Sequence, residues 1–198
     1  DKTELWNGYT WTEVNDLNTA RLFYNSGNGS STAALAVGGE SPVVAIVEQW
    51  NGTNWTEVND LNTARYSMGV SGTTTSALAF GGDTPPVVAN TESFNGTNWT
   101  EVNDLNTARN VLSGAGVSST SALAFGGNGP PFLANTEDWN GTNWSNVNDL
   151  NTARYYMGSS GTSTSALAFG GDTGSKTNAT EEWDGTGFIT KTITTTTD

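Results

Sequence analysis

The sequence predicts an all-β chain built from a repeated blade of four short strands, and three observations predict it. The first is composition: of 198 residues only 34% are hydrophobic and 14% charged, while Gly (24 residues), Thr, Asn and Ser abound. That profile suits short strands and tight turns rather than helices, and aromatics at 10%, eight of them Trp, argue against a disordered chain. The second is the segment "WNGTNWTEVNDLNTAR" at Trp50–Arg65, which returns at Phe94–Arg109 and Trp139–Arg154, with an earlier copy at Trp6–Arg21 and a shortened one from Trp183; successive starts are 44, 44, 45 and 44 residues apart. The third is "SALAFGG" at Ser76–Gly82, Ser121–Gly127 and Ser165–Gly171, with a looser copy ending at Gly38-Gly39. A period of this length is that of a four-stranded propeller blade.

Within one repeat the elements follow in order. The Gly- and Ser-rich stretch Tyr66–Gly72 reads as the first strand, nearest a central channel where small side chains let blades converge. Ala77–Phe80 is apolar at every position yet alternates small with large, as a strand covered on both faces should, with Leu78 and Phe80 on one side and the alanines on the other. The double Gly after it supplies backbone freedom for a sharp exit. A third strand around Glu48–Trp50 runs into an Asn-Gly turn and returns as a fourth, Trp55–Val58. "NDLNTA" then crosses to the next blade.

The repeat divides the chain into blades at residues 21–64, 65–108, 109–153 and 154–198, preceded by a half blade at 1–20 whose outer hairpin spans Glu4–Val14. Five outer hairpins therefore meet four inner strand pairs. Either a ring of five positions has one blade completed from outside these residues, or four blades close and the hairpin packs elsewhere; the five-position ring is favoured. An unpaired strand edge also invites a neighbour.

These landmarks resemble the kelch repeat, in which a double Gly, a spaced aromatic pair and an Arg recur in each blade. Here they are Gly81-Gly82, Trp50 with Trp55, and Arg65, and the resemblance covers essentially the whole chain. It departs in placing Trp at the first aromatic position and in having fewer repeats than six or seven. The near-identical "NGTNWTEVNDLNTAR" arrays also look like repeat proteins of marine bacteriophages, particularly cyanophages. That resemblance implies a tail-fibre or virion-surface role.

Arg21, Arg65, Arg109 and Arg154 recur once per blade, and a Glu precedes each first aromatic, at Glu4, Glu48, Glu92, Glu137 and Glu181. Such regularity predicts a structural ion pair in each blade; the alternative, a ring of Arg around an anion, sits poorly in a chain of net charge −13. Asp16, Asp60, Asp104 and Asp149 fit either Ca²⁺ ligation or capping of their own turn's amides, and the lack of an Asp-x-Asp-x-Asp-Gly loop favours capping. Asn51, Asn54, Asn95 and Asn140 match the glycosylation acceptor pattern, although the hairpin alone requires Asn-Gly. Trp50, Trp55, Trp99, Trp139, Trp144 and Trp183 hold fixed places in the blade, which favours packing over sugar-stacking platforms. Binding is expected instead in the loops that vary after the double Gly, beginning at Asp83, Asn128 and Asp172.

With neither His nor Cys in the chain, the usual acid–base, nucleophile and zinc sets are missing, as are the ligands of the copper-radical oxidases found on one kelch-type propeller. A paired-carboxylate glycosidase needs an unmatched acidic pair, and no repeat carries one. The expectation is a protein that is not an enzyme and takes no cofactor or metal. Its acidity makes nucleic acid a poor partner, and no apolar run is long enough for membrane insertion. The chain opens on Asp1 rather than Met, as a processed chain or a piece of a longer one would. The expected function is a virion or extracellular surface module mediating adhesion or assembly, with neighbouring copies or other virion proteins meeting the half blade. A lectin-like propeller with one shallow site per blade for host surface glycans is the first alternative, and a purely structural assembly protein the second.

Overall fold

A computed structural model describes residues 2–24 and 27–191; Asp1 and the last stretch of the 154–198 unit, residues 192–198, lie outside the described residues. The chain is all-β. A hairpin, β1 (Thr3–Trp6) and β2 (Trp11–Val14), precedes four four-stranded antiparallel sheets, each ordered as in sequence. The first sheet holds β3 (Gly27–Ser30), β4 (Ala33–Gly39), β5 (Val44–Trp50) and β6 (Trp55–Val58). The second holds β7 (Gly69–Thr73), β8 (Ser76–Phe80), β9 (Thr91–Phe94) and β10 (Trp99–Val102). The third holds β11 (Ser113–Ser118), β12 (Ser121–Phe125), β13 (Thr136–Trp139) and β14 (Trp144–Val147). The fourth holds β15 (Gly158–Gly161), β16 (Ala166–Phe169), β17 (Thr180–Trp183) and β18 (Phe188–Lys191).

The first strands of the sheets lie side by side, β3 against β7, β7 against β11 and β11 against β15. All four line one central cavity of about 260 Å³ walled largely by Gly and Ser. Repeated sheets arranged in this way fit a propeller. The inner strand was expected over Tyr66–Gly72 and instead begins at Gly69. Ser67 is left-handed (φ 55°) and Tyr66 exchanges backbone hydrogen bonds with Asp83, so the chain turns once before it can extend.

The alternation in "ALAF" sets the packing between sheets. Leu78 and Phe80 face the third sheet, where they are buried with Leu112, Trp139 and Trp144. The Phe80 ring meets Trp144 edge-on at 5.1 Å, and Phe125 meets Phe188 the same way at 5.3 Å. Each such ring stabilises by about 2–3 kcal/mol through burial. Glycine is required where these rings pass: a Cβ on Gly69 would stand 2.2 Å from the Phe80 ring, and one on Gly114 2.5 Å from it.

A second link crosses the same seams. Trp144 Nε1 donates to Thr91 Oγ1 at 3.1 Å, from the third sheet to the second. Trp55 Nε1 donates to Thr3 Oγ1 at 3.0 Å, which seats the hairpin against the first sheet as one blade sits on the next. Between the first and second sheets the register puts Val47 where Thr91 and Thr3 stand elsewhere, and the buried Trp99 Nε1 has no hydrogen-bond partner among the described residues. The substitution Val47→Thr is expected to satisfy that donor and to stabilise the chain by about 1 kcal/mol, read as a higher urea midpoint. A fall in the midpoint would mean that the lost methyl outweighs the new bond.

Candidate functional site

Two constellations stand on this frame, one buried and one open. In the buried one each Arg meets the Glu of its own blade: Arg21 Nη1 to Glu48 Oε1 at 2.5 Å, Arg154 Nη2 to Glu181 Oε1 at 3.0 Å, and the Arg65–Glu92 and Arg109–Glu137 pairs in short contacts. All eight side chains are essentially inaccessible, so no Arg is open to a soluble anion. The guanidinium of Arg109 also donates to Ala124 O at 3.3 Å and to Thr107 O at 3.3 Å, tying the inner strands to the preceding linker. Burial pushes the Arg109 guanidinium down from its ordinary value while the facing Glu137 carboxylate pushes it back up. At Glu48 burial raises the carboxyl, but hydrogen bonds from Arg21, Asn18 and Thr19 outweigh it and hold the group below the usual carboxylate range.

The second Asn of "NDLN" completes this lock, a role the sequence reading missed. Asn106 donates its backbone N–H to Glu137 Oε2 at 2.7 Å and its Nδ2 to the same oxygen at 2.8 Å and to Trp144 O at 3.1 Å. Asn18, Asn62 and Asn151 do the same in their blades. Its repetition in every linker was the available signal. The Asp of the linker does not cap its own turn, as expected, but reaches back to the sheet just left. Asp104 Oδ1 accepts from Thr91 N at 3.0 Å, Asp149 Oδ1 from Thr136 N at 3.0 Å and Asp16 Oδ1 from Thr3 N at 2.9 Å. Of the tryptophans, Trp50, Trp99, Trp139, Trp144 and Trp183 are buried and Trp55 is half-buried, leaving their faces to the core. Among the described residues no group of three or more Asp or Glu is placed to hold a metal ion.

The open constellation is a rim around the entrance to the inner strands. Asp83, Asn128 and Asp172 open the variable loops and each pairs by backbone with the residue after the blade's Arg, Tyr66, Asn110 and Tyr155 respectively; Glu40 pairs likewise with Leu22. The loops differ in sequence but share one path, with Val88, Leu133 and Thr177 donating N–H to Gly82, Gly127 and Gly171 carbonyls at 2.9, 2.9 and 3.0 Å. Neighbouring loops touch through Asn110 Nδ2, which donates to Asp83 Oδ2 at 3.0 Å. Tyr24 lies 6.3 Å from both Tyr66 and Tyr156, and Tyr155 lies 4.6 Å from Phe132 and 4.8 Å from Tyr156. Tyr24, Val111 and Tyr156 line a recess of about 270 Å³.

The rim's backbone is unusual. Ser67, Val111 and Tyr156 are all left-handed, at φ 55°, 46° and 53°, a costly conformation for a β-branched or aromatic residue. At Val111 and Tyr156 it turns the N–H toward the blade before: Val111 N donates to Ser67 O at 2.7 Å and Tyr156 N to Val111 O at 3.3 Å. The carboxylates also act on the phenols. Burial and then the Asp83 charge push Tyr66 up, burial and then Asp172 push Tyr155 up, and the Glu40 charge pushes Tyr24 up. Neutral phenols with carboxylates and amides beside them offer aromatic faces to stack on and acceptors for hydroxyl or ammonium donors. The tyrosines were missed in the sequence; their signal was the three residues after each Arg, "LFY", "YSM", "NVL" and "YYM", where the repeat is least constant.

Fold and rim together define a tandem-repeat β-protein of propeller-like architecture, with an invariant buried frame and a variable polar–aromatic face. Its sequence matches no protein-family model and no curated protein.

Proposed function

We propose that this chain is a kelch-like propeller of five blade positions that serves, without catalysis, as an adhesion and assembly module on a virion or another extracellular surface. One observation supports the reading: residues that differ between repeats, Asp83, Asn128, Asp172 and the tyrosines beside them, gather on one rim, while the repeated Arg and Glu of each blade and the Ala-Leu-Ala-Phe strands of the second and third sheets are buried. Aromatic faces beside acceptor oxygens suit the pyranose rings and hydroxyls of surface glycans. A glycan-binding screen at physiological salt tests this. Binding is expected, and Tyr66→Ala and Asp83→Ala are each expected to weaken it at least ~10-fold, the loss of one good hydrogen bond or stacking contact.

A lectin-like site in every blade would give a different result, since removing one of several equivalent weak sites lowers avidity only in part. The assembly half of the proposal is favoured by the hairpin, where Trp6 and Trp11 are 46% and 65% exposed although their counterparts in the other blades are buried or half-buried. No binding to any glycan, together with ordered oligomers, would leave the structural reading alone standing.

A further inference from the structure

The rim carries a row of rings set among carboxylates. Tyr24 lies between Tyr66 and Tyr156, 6.3 Å from each, with its plane tilted 51° and 41° from theirs. Tyr155 follows Tyr156 at 4.8 Å, and Phe132 follows Tyr155 at 4.6 Å. Where Tyr24 meets Tyr156 the row opens into the recess of about 270 Å³, whose other walls are Val111, Met157 and Gly158. Val111 and Met157 are buried, so the recess is apolar apart from its two phenols. It has room for a group several times the size of a water molecule, whose share of liquid volume is about 30 Å³.

Three carboxylates stand along this row. The Glu40 charge is the largest cause of the upward shift at Tyr24, and it acts on Tyr66 as well, after burial and Asp83. Asp172 acts on Tyr155 after burial. None of the three has an ion-pair partner among the described residues, because the chain's cations are committed elsewhere: the four Arg to the buried frame, Lys2 to Glu13 and Lys191 to Glu182. Only Lys176, exposed in the fourth variable loop, is left over, and it makes no ion pair among the described residues. The π face of a ring draws a cation held within about 6 Å of its centroid, and a carboxylate takes an ammonium in a charge-assisted hydrogen bond. A neutral ligand would use the rings and leave the carboxylates to water. A cationic one uses both.

We propose that the rim selects glycans that carry a free amino group: an amino sugar whose pyranose ring stacks on the rim aromatics, with its ammonium seated between Tyr24 and Tyr156 in the field of Glu40. The inference rests on the adhesion half of the proposed function and names its ligand class. The net charge of −13 works in the same direction, since it draws a polycationic glycan from solution and repels an anionic one.

Two probes of one shape test it: the glucosamine tetramer of fully deacetylated chitin, and cellotetraose, which has a hydroxyl in place of each ammonium. Both are titrated into the full chain by calorimetry at physiological salt and mildly acidic pH, below the pKa of the amine and above those of the carboxylates. The glucosamine tetramer is expected to bind at least ~10-fold more tightly. Glu40→Gln is expected to remove most of that preference, and Tyr156→Leu to weaken the glucosamine tetramer about 3–10-fold. Glu57→Gln, which removes the same charge from the outer strand β6, is expected to leave the preference in place. The comparison of the two tetramers on the unsubstituted chain carries no risk to the fold. Equal affinities, or no binding of the glucosamine tetramer, overturn the proposal, as do equal losses from Glu40→Gln and Glu57→Gln, which would mark a general attraction to an acidic chain. If neutral glycans bind as well and are lost in Tyr66→Ala, the adhesion reading stands and this selectivity falls; if no glycan binds, both fall.

Discussion

Glu137→Ala is expected to destabilise the chain by about 3–5 kcal/mol, because it leaves the Arg109 guanidinium charged and uncompensated in the interior. The loss extends beyond the ion pair, since the Asn106 backbone N–H and Nδ2 also end on that carboxylate. Denaturant unfolding followed by Trp fluorescence reads it directly. Glu4→Ala, at the equivalent but exposed position, is expected to stay within about 0.5 kcal/mol of the unsubstituted chain. Equal costs at the two positions would mean that repetition of Glu reflects strand preference and not the ion pair. Acid behaves consistently with this. The Glu48 carboxyl is held below its unfolded value, so its stabilisation is fully present above the unfolded pKa of about 4.3 and is lost as pH falls through the lower folded value. Glu48→Gln should flatten that acid limb.

Phe80→Ala is expected to cost about 3–5 kcal/mol, and Phe169→Ala less than about 1 kcal/mol, although the two share one sequence context. Phe80 is fully buried against Trp144 and passes over Gly114, whereas Phe169 is 44% exposed. Thermal or urea midpoints of the two variants, measured on the full chain, separate them. Nearly equal losses would show that the face of the fourth sheet is covered in solution, by the hairpin of the same chain or by another molecule.

Much of the frame was legible because it repeats. The alternation in "ALAF", the Asn-Gly turn and the return at Trp55–Val58 are local signals, and β8, the hairpin turns and β6 follow them closely. The Arg and Glu were legible as partners because opposite charges recurring in step have few other ways to be buried. What could not be read depends on chain path. Nothing local says that Tyr66 will turn and bridge Asp83 before the inner strand begins at Gly69. Nor does the sequence say that Asp104 reaches back across 13 residues to Thr91 while Asn106 reaches forward 31 to Glu137. The rim tyrosines were hidden for a related reason: Tyr24, Tyr66 and Tyr156 belong to turns of different repeats and meet only through the fold.

Those linkers also decide how neighbouring sheets depend on one another. Asp104 anchors to the sheet the chain has left and Asn106, two residues on, to the sheet it is entering. A linker fastened at both margins couples each sheet to the next, since loss of either sheet frees one end of the span. Neighbouring sheets coupled in this way are expected to lose structure together and not singly.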